Sequence, residues 1–385
     1  MSIIVTVLLN IVRILAAVLV FGLIVVIHEW GHFIVAKLCG IQVNEFAIGM
    51  GPKLFGWGKK ETRYSVRLLP IGGYCAMEGE DAAGGGSVKT ATPTVTEDNP
   101  RAFYRKKVWQ RMLVTVAGAT MNLLLGFVLL LVYFGVCTMP SSDGNTYFAG
   151  TTVSWQQENA TSFEGGLRPG DTILSIDGKR VFTIFDIQSL LQDSDDATFE
   201  MRVRRTVNEQ EQTVTLPAVS FERQYNEESG RYFLLYDFKV NAIPKTIGST
   251  VTQAIKTEGS VAVMVWRSLG GLLTGRYGLN ELSGPVGTVD IIGDTVADAM
   301  NETHWQAGLG SVLMLVVLLT VNVGMFNLLP LPALDGSRFW FLAWEGITRK
   351  PIPQKYEAIV HAIGFVLLLA LIVVVTFSDV FKMLR

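Results

Sequence analysis

The chain has 385 residues, of which 49% are hydrophobic and only 17% charged, with a mean hydropathy of +0.37 and a formal net charge of −2. Soluble domains carry about 25% charged residues, so the composition excludes an ordinary cytosolic enzyme and points to a membrane protein. The lack of a basic excess argues against a nucleic-acid partner.

Four segments reach the roughly 20 apolar residues that a helical span requires. The first covers about 11–38 and is apolar from Ile14 to Ile27, before the run His28-Glu29-Trp30-Gly31-His32. A lone Arg13 precedes it and no small-residue cleavage site follows, so it reads as a retained span and not a signal peptide. Next come two expected strands around the Gly56–Lys60 turn, where Thr62, Tyr64, Val66 and Leu68 alternate with Arg63, Ser65 and Arg67. Residues 82–99 form a low-complexity linker. The second span covers about 112–136.

Residues 140–243 alternate short apolar runs with turns. Pro169-Gly170-Asp171 and Asp177-Gly178 supply turn chemistry around Ile173, Leu174 and Ile176. Ile184, Ile187, Leu190 and Leu191 share one side of an expected helix, and alternating strands follow in TFEMRVRRTV and QTVTLPAV. This order resembles a PDZ domain, which receives an extended peptide beside a strand. The third span covers about 312–329 and ends in NLLPLPALDG; the fourth covers about 358–377.

Lys and Arg counts set the orientation. The loop after the first span holds Lys53, Lys59, Lys60, Arg63, Arg67, Arg105, Lys106, Lys107 and Arg111, and the connection after the third holds Arg338, Arg349, Lys350 and Lys355. Both are expected to be cytoplasmic, which places 139–311 and both termini outside.

Three cysteines, Cys39, Cys75 and Cys137, are too few and too scattered for a disulfide framework or a zinc knuckle. The histidines are His28, His32, His304 and His361. His28 and His32 are four apart, so on a helix both imidazoles face one metal ion, and Glu29 reaches a water beside it. Ionisable residues at membrane depth are expensive and default to function. If the span ends near Lys37, His32 lies about 7.5 Å inside it.

A catalytic zinc takes a third protein ligand and an open position. His304 falls on the opposite side of the membrane. His361 begins the fourth span on the correct side. Asp335 follows Pro330 and Pro332, which break the helix, and irregular backbone at membrane depth is tolerated where it lines a cavity. That favours Asp335. Asn327, Asn122 and Asn322 suit helix–helix hydrogen bonds, with Asn327 also able to hold a substrate carbonyl. A silent membrane adaptor and a transporter are competing classes. The first is disfavoured because all the chemical residues are present, the second because no internal repeat is evident.

HEWGH in the first span, together with NLLPLPALDG in the third, resembles the site-2 protease family of intramembrane zinc metalloproteases. GMGPKLF, LLPIGGY, KKVWQRMLVTVAGATMN, LSGPVG and VHAIGF are similar to its bacterial branch, the regulator-of-sigma-E protease type, here with a single PDZ unit. Gly118-Ala119 stands where that family has Gly-Pro, and Ser337 where it has a second Gly.

The resemblance implies His28, His32 and Asp335 as Zn²⁺ ligands and Glu29 as catalytic base. It implies that Asn327 and Pro332 bind substrate and that the strands near 45–75 form a membrane-re-entrant β-hairpin. The expected architecture is a polytopic α-helical membrane protein of about four transmembrane helices with that hairpin and an extracytoplasmic PDZ-like α+β domain. Its parts are 1–138, 139–243, 244–311 and 312–385. The expected activity is hydrolysis within single-span membrane proteins such as anti-sigma factors or signal-peptide remnants. The expected setting is the cell membrane, with the active site toward the cytoplasm. Expected partners are those substrates, the lipid bilayer and a peptide at the PDZ-like domain, with no nucleic acid.

Overall fold

The computed structural model describes residues 3–58, 61–80, 99–138, 145–157, 159–192, 197–226, 231–276, 278 and 282–383. The linker expected at 82–99, except Asn99, and the Lys59-Lys60 tip of the hairpin turn lie outside them. The chain divides into two compact units, residues 1–129 with 265–385, and residues 130–264.

In the first unit, helix α1 (Ile3–Leu38) continues unbroken through the HEWGH run. It stops because Gly40 adopts φ +67°, which lets Ile41 N–H reach the Ala36 carbonyl (2.8 Å) and Gly40 N–H the Lys37 carbonyl (3.0 Å). Strands β1 (Val43–Trp57) and β2 (Arg63–Met77) form an antiparallel pair. Each bends at its glycines, so that Ala47 pairs with both Tyr74 and Ser65 while Trp57 pairs with Tyr64. The hairpin is therefore a folded sheet of four short segments; its extent is close to the 45–75 expected, but the doubling-back is not in the alternation. Helix α2 (Val108–Val132) runs into a π-helical turn, Tyr133–Cys137.

The second unit is β-rich. It contains β3 (Tyr147–Gln156), α3 (Thr161–Glu164), β4 (Thr172–Ile176), β5 (Lys179–Arg180), α4 (Ile184–Gln192), β6 (Thr198–Val207), β7 (Gln210–Ser220), β8 (Glu222–Asn226), β9 (Arg231–Leu235) and β10 (Phe238–Pro244). The main sheet has the order β10-β3-β4-β6-β7, with β5 on β4. Its core gathers Ile173, Ile187, Leu191, Phe199, Met201 and Val219, the alternate positions that period-two strands and one face of α4 turn inward. Asp171 is fully buried in the Pro-Gly-Asp turn. It accepts Arg168 N–H at 2.9 Å and two Arg205 N–H groups at 2.6 Å each.

Helix α5 (Ile247–Leu273) crosses from the second unit back to the first and is followed by α6 (Pro285–Asn301), α7 (Trp305–Phe326), α8 (Asp335–Thr348) and α9 (Gln354–Met383). The sequence treats 244–311 as a connecting segment and gives no helix between Asp335 and the fourth span. Helices α5, α6 and α8 are amphipathic and not uniformly apolar, so a search for spans passes over them. Asp379 of α9 accepts Gly287 N–H at 2.8 Å and so serves as the missing cap of α6. Arg13, read as a lone charge, pairs with Asp294 of α6 at 2.8 Å.

Among the described residues, four helices are long and apolar enough to cross a membrane: Asn10–Leu38, Val108–Cys137, Trp305–Phe326 and Lys355–Lys382. All three cysteines are free.

Candidate metal centre

In α1 the four-residue spacing turns His28 and His32 to one side, both nearly buried, with their Nε2 atoms 3.3 Å apart. Asp335 arrives from the first turn of α8. Its Oδ2 lies 2.9 Å from His28 Nε2 and 3.1 Å from His32 Nε2. These are the His, Cys, Asp or Glu side chains that form a metal-sized cluster among the described residues.

The arrangement fits Zn²⁺. Bonds of about 2.0–2.1 Å in a tetrahedron put ligand atoms about 3.3 Å apart, close to the three separations seen. The tautomers fit as well. His32 Nδ1 donates to the Val114 carbonyl at 2.8 Å, which leaves the Nε2 lone pair free for a metal. His28 Nδ1 faces the Asn122 amide at 3.3 Å, and Asn122 Oδ1 is buried without a partner. Exchanging the amide oxygen and nitrogen gives His28 Nδ1–H its acceptor and satisfies that oxygen. Gly118 of α2 completes the cradle. A Cβ there would meet His32 Nε2 at 2.5 Å and His28 Nε2 at 2.6 Å.

Asn122, Gly118 and the Val114 carbonyl were not assigned this role from sequence. Its sequence context suits Asn122 to helix packing, and it does link α2 to α7 as well, through its backbone carbonyl, which accepts Thr320 Oγ1–H at 3.1 Å. A polar residue in an otherwise apolar span was the available signal, but it cannot say which neighbour the residue meets.

Glu29 lies beside the β-hairpin. A Cβ on Gly73 of β2 would come within 3.5 Å of Glu29 Cγ and 2.9 Å of the Ala47 carbonyl. His361 is outside the cluster. Its Nδ1 accepts Ala333 N–H at 3.2 Å, steadying the segment where Ala333 takes φ +74°. His304 sits at the N-cap of α7. Asn327 caps the C-terminal end of α7, and its amide donates to the Val323 carbonyl at 3.0 Å. Pro332 lies against Gly364 of α9, where a side chain would collide. Gly336 is needed for the same reason against the Leu329 carbonyl.

A family model described as peptidase family M50 matches residues 16–371. The chain is 30% identical to the zinc metalloprotease RasP of Bacillus licheniformis, over 95% of this chain and 98% of that one. It is also 30% identical to the zinc metalloprotease RasP of Shouchella clausii, over 96% and 99% of the two chains. To the regulator of sigma-W protease RasP of Bacillus subtilis it is 29% identical, over 95% and 98%.

Proposed function

The chain belongs to peptidase family M50 and is an intramembrane zinc metalloendopeptidase of the site-2 type, and from that premise we propose that His28, His32 and Asp335 hold the Zn²⁺ and that Glu29 is the general base. The observation that carries this reading is the approach of Asp335 Oδ2 to both imidazoles, within 3.1 Å, across some three hundred residues. Zn²⁺ supplies Lewis acidity toward water and a peptide carbonyl. Glu29, next to His28 in sequence, takes the proton of the attacking water and hands it to the departing amide nitrogen. Val114 and Asn122 hold the imidazoles so that both Nε2 lone pairs point at one place.

The substrate is a single-span membrane protein. A helical substrate hides its carbonyls in its own hydrogen bonds, so it must open locally before cleavage. The hairpin, whose backbone runs beside Glu29 at Gly73, pairs with the opened strand by β-augmentation and re-enters the membrane to do so. Asn327 exchanges its intrahelical bond for a substrate carbonyl, and Pro332 shapes the neighbouring wall.

The strand and helix order of residues 147–220 supports a PDZ-like unit that screens or binds substrate. The Lys and Arg distribution supports an active site toward the cytoplasm with that unit outside. The printed name of the Bacillus subtilis relative, a regulator of sigma-W protease, supports anti-sigma factors as one substrate class and signal-peptide remnants as another.

Cleavage of a tagged single-span substrate by detergent-purified protein tests the reading. Wild type is expected to cleave, an added zinc chelator to stop it, and Glu29→Gln to lower the rate by about 10²–10⁴-fold with zinc content unchanged. Undiminished cleavage by Glu29→Gln would remove Glu29 from the mechanism.

A further inference from the structure

The three side chains at the candidate metal position are held unequally. His28 and His32 ride in the interior of a long helix, and each Nδ1 faces a partner. Asp335 is the first residue of α8, directly after the irregular stretch that contains Ala333 at φ +74°. A terminal residue of this kind is as well placed as the helix that follows it.

Two ion pairs along α8 fix that helix. Arg338 lies three residues after Asp335 and so on the same side of α8. Its Nη1 donates to Glu80 Oε1 at 2.6 Å, and the two side chains are only 15% and 21% exposed. Two turns further, Glu345 accepts Arg111 Nη2 of α2 at 2.5 Å.

Glu80 is itself anchored at the base of the β-hairpin. Its N–H donates to the Met77 carbonyl (3.3 Å), and its Oε2 accepts Met77 N–H (3.4 Å). The adjoining Glu78 receives Asn44 Nδ2 (2.7 Å), and its backbone is bound to Gln42 and Phe103 at 2.9 and 2.8 Å. The fixed end of the bridge is therefore the hairpin base, and the adjustable end is α8.

A half-buried ion pair adds little stability over an apolar contact of the same volume, and its best-attested use is to specify geometry. Here the geometry is that of a carboxylate which must sit within about 0.5 Å of its productive position.

We propose that the Glu80–Arg338 ion pair is a positioning element that holds Asp335 at the metal and ties the metal's third ligand to the base of the hairpin. The proposal rests on the ligand set given under Proposed function. Any displacement of the hairpin base, including one imposed by a bound substrate strand, is passed through Glu80 and Arg338 to the carboxylate.

The test uses full-length protein in detergent, stripped of metal and titrated with Co²⁺. The visible absorption of Co²⁺ reports ligand geometry, and competition with a chelator reports affinity. Arg338→Gln and Glu80→Gln are each expected to weaken Co²⁺ binding by about 10–100-fold and to shift the absorption band, beyond the drop in the metal-free protein's melting temperature that one unpaired buried charge causes. The charge-exchanged pair Glu80→Arg with Arg338→Glu is expected to recover most of the affinity. If Arg338→Gln fails to fold, Arg338→Lys, which keeps the charge but loses the planar fork, is expected to show the same band shift at smaller amplitude.

An unchanged band and affinity in these variants would overturn the proposal, as would losses that follow melting temperature and are not recovered by the exchange. Asp335→Ala separates the two levels. If it abolishes the band while the Arg338 and Glu80 variants keep it, only the positioning role fails. If it retains the wild-type band, the ligand set fails and the positioning role with it.

Discussion

Around His28 and His32 the neighbouring helix carries Gly118, because even a methyl group would collide with the imidazoles. Around Phe199 and Leu191 in the second unit the neighbours are instead packed apolar side chains such as Ile187, Met201 and Val219. Both places are buried, but the first is defined by a few donor atoms within 3.3 Å of one another, the second by filled volume. Donor geometry fails when one atom moves. A filled core fails in proportion to the volume removed. The two regions should therefore respond to substitution in different observables, metal content for one and unfolding free energy for the other.

The largest stability effect should come from the packed side. Phe199→Ala is expected to cost about 3–5 kcal/mol, read as a downward shift of the second unit's thermal or denaturant transition, while zinc per chain stays at the wild-type ratio. If zinc is lost in parallel, the contrast between the two regions breaks down.

Gly118→Ala sharpens the comparison from the other side. Overpacking of this kind costs about 1–3 kcal/mol, and here it falls on the imidazoles, so zinc affinity should drop by about 10–100-fold. Elemental analysis after dialysis against a mild chelator checks it. Full retention of zinc would mean that α1 and α2 can separate without disturbing the donors.

The smallest effect is electrostatic and lies at Glu61, between β1 and β2. The Arg101 and Lys37 side chains beside Glu61 hold its carboxyl at about 2, below the ordinary 4.5. A carboxyl depressed in the folded state stabilises above its unfolded value and loses that contribution as pH falls from about 5 toward 2. Because these side chains are partly exposed, the effect is about 1 kcal/mol or less. The melting-temperature advantage of wild type over Glu61→Gln should be present at pH 6 and gone near pH 2. An advantage independent of pH would exclude the ion pair as its source.

Much of the architecture was legible because it depends on local period. The four apolar runs became helices of spanning length. Strands β6 and β7 and the inward face of α4 followed from alternation and helical spacing. Helices α5, α6 and α8 were not read, because a half-polar helix gives no spanning signal and its apolar side has meaning only against a partner. The doubling-back of the hairpin at its glycines, by which Ala47 finds two partners, was hidden for a similar reason: pairing is a relation between segments.

The site divides along the same line. Sequence by itself determined that His28 and His32 share a face, since four residues is about one helical turn, and that the chain must turn irregular near Asp335, since Pro330 and Pro332 cannot both continue a helix. Tertiary structure alone decided that Asp335 meets those histidines, that His361 instead braces Ala333, that Asn122 and Gly118 flank the cluster, and that Glu80 pairs with Arg338. The physical reason is range. Backbone geometry propagates over one or two turns, whereas a donor set drawn from both ends of a 385-residue chain exists only once helix packing has brought those ends together.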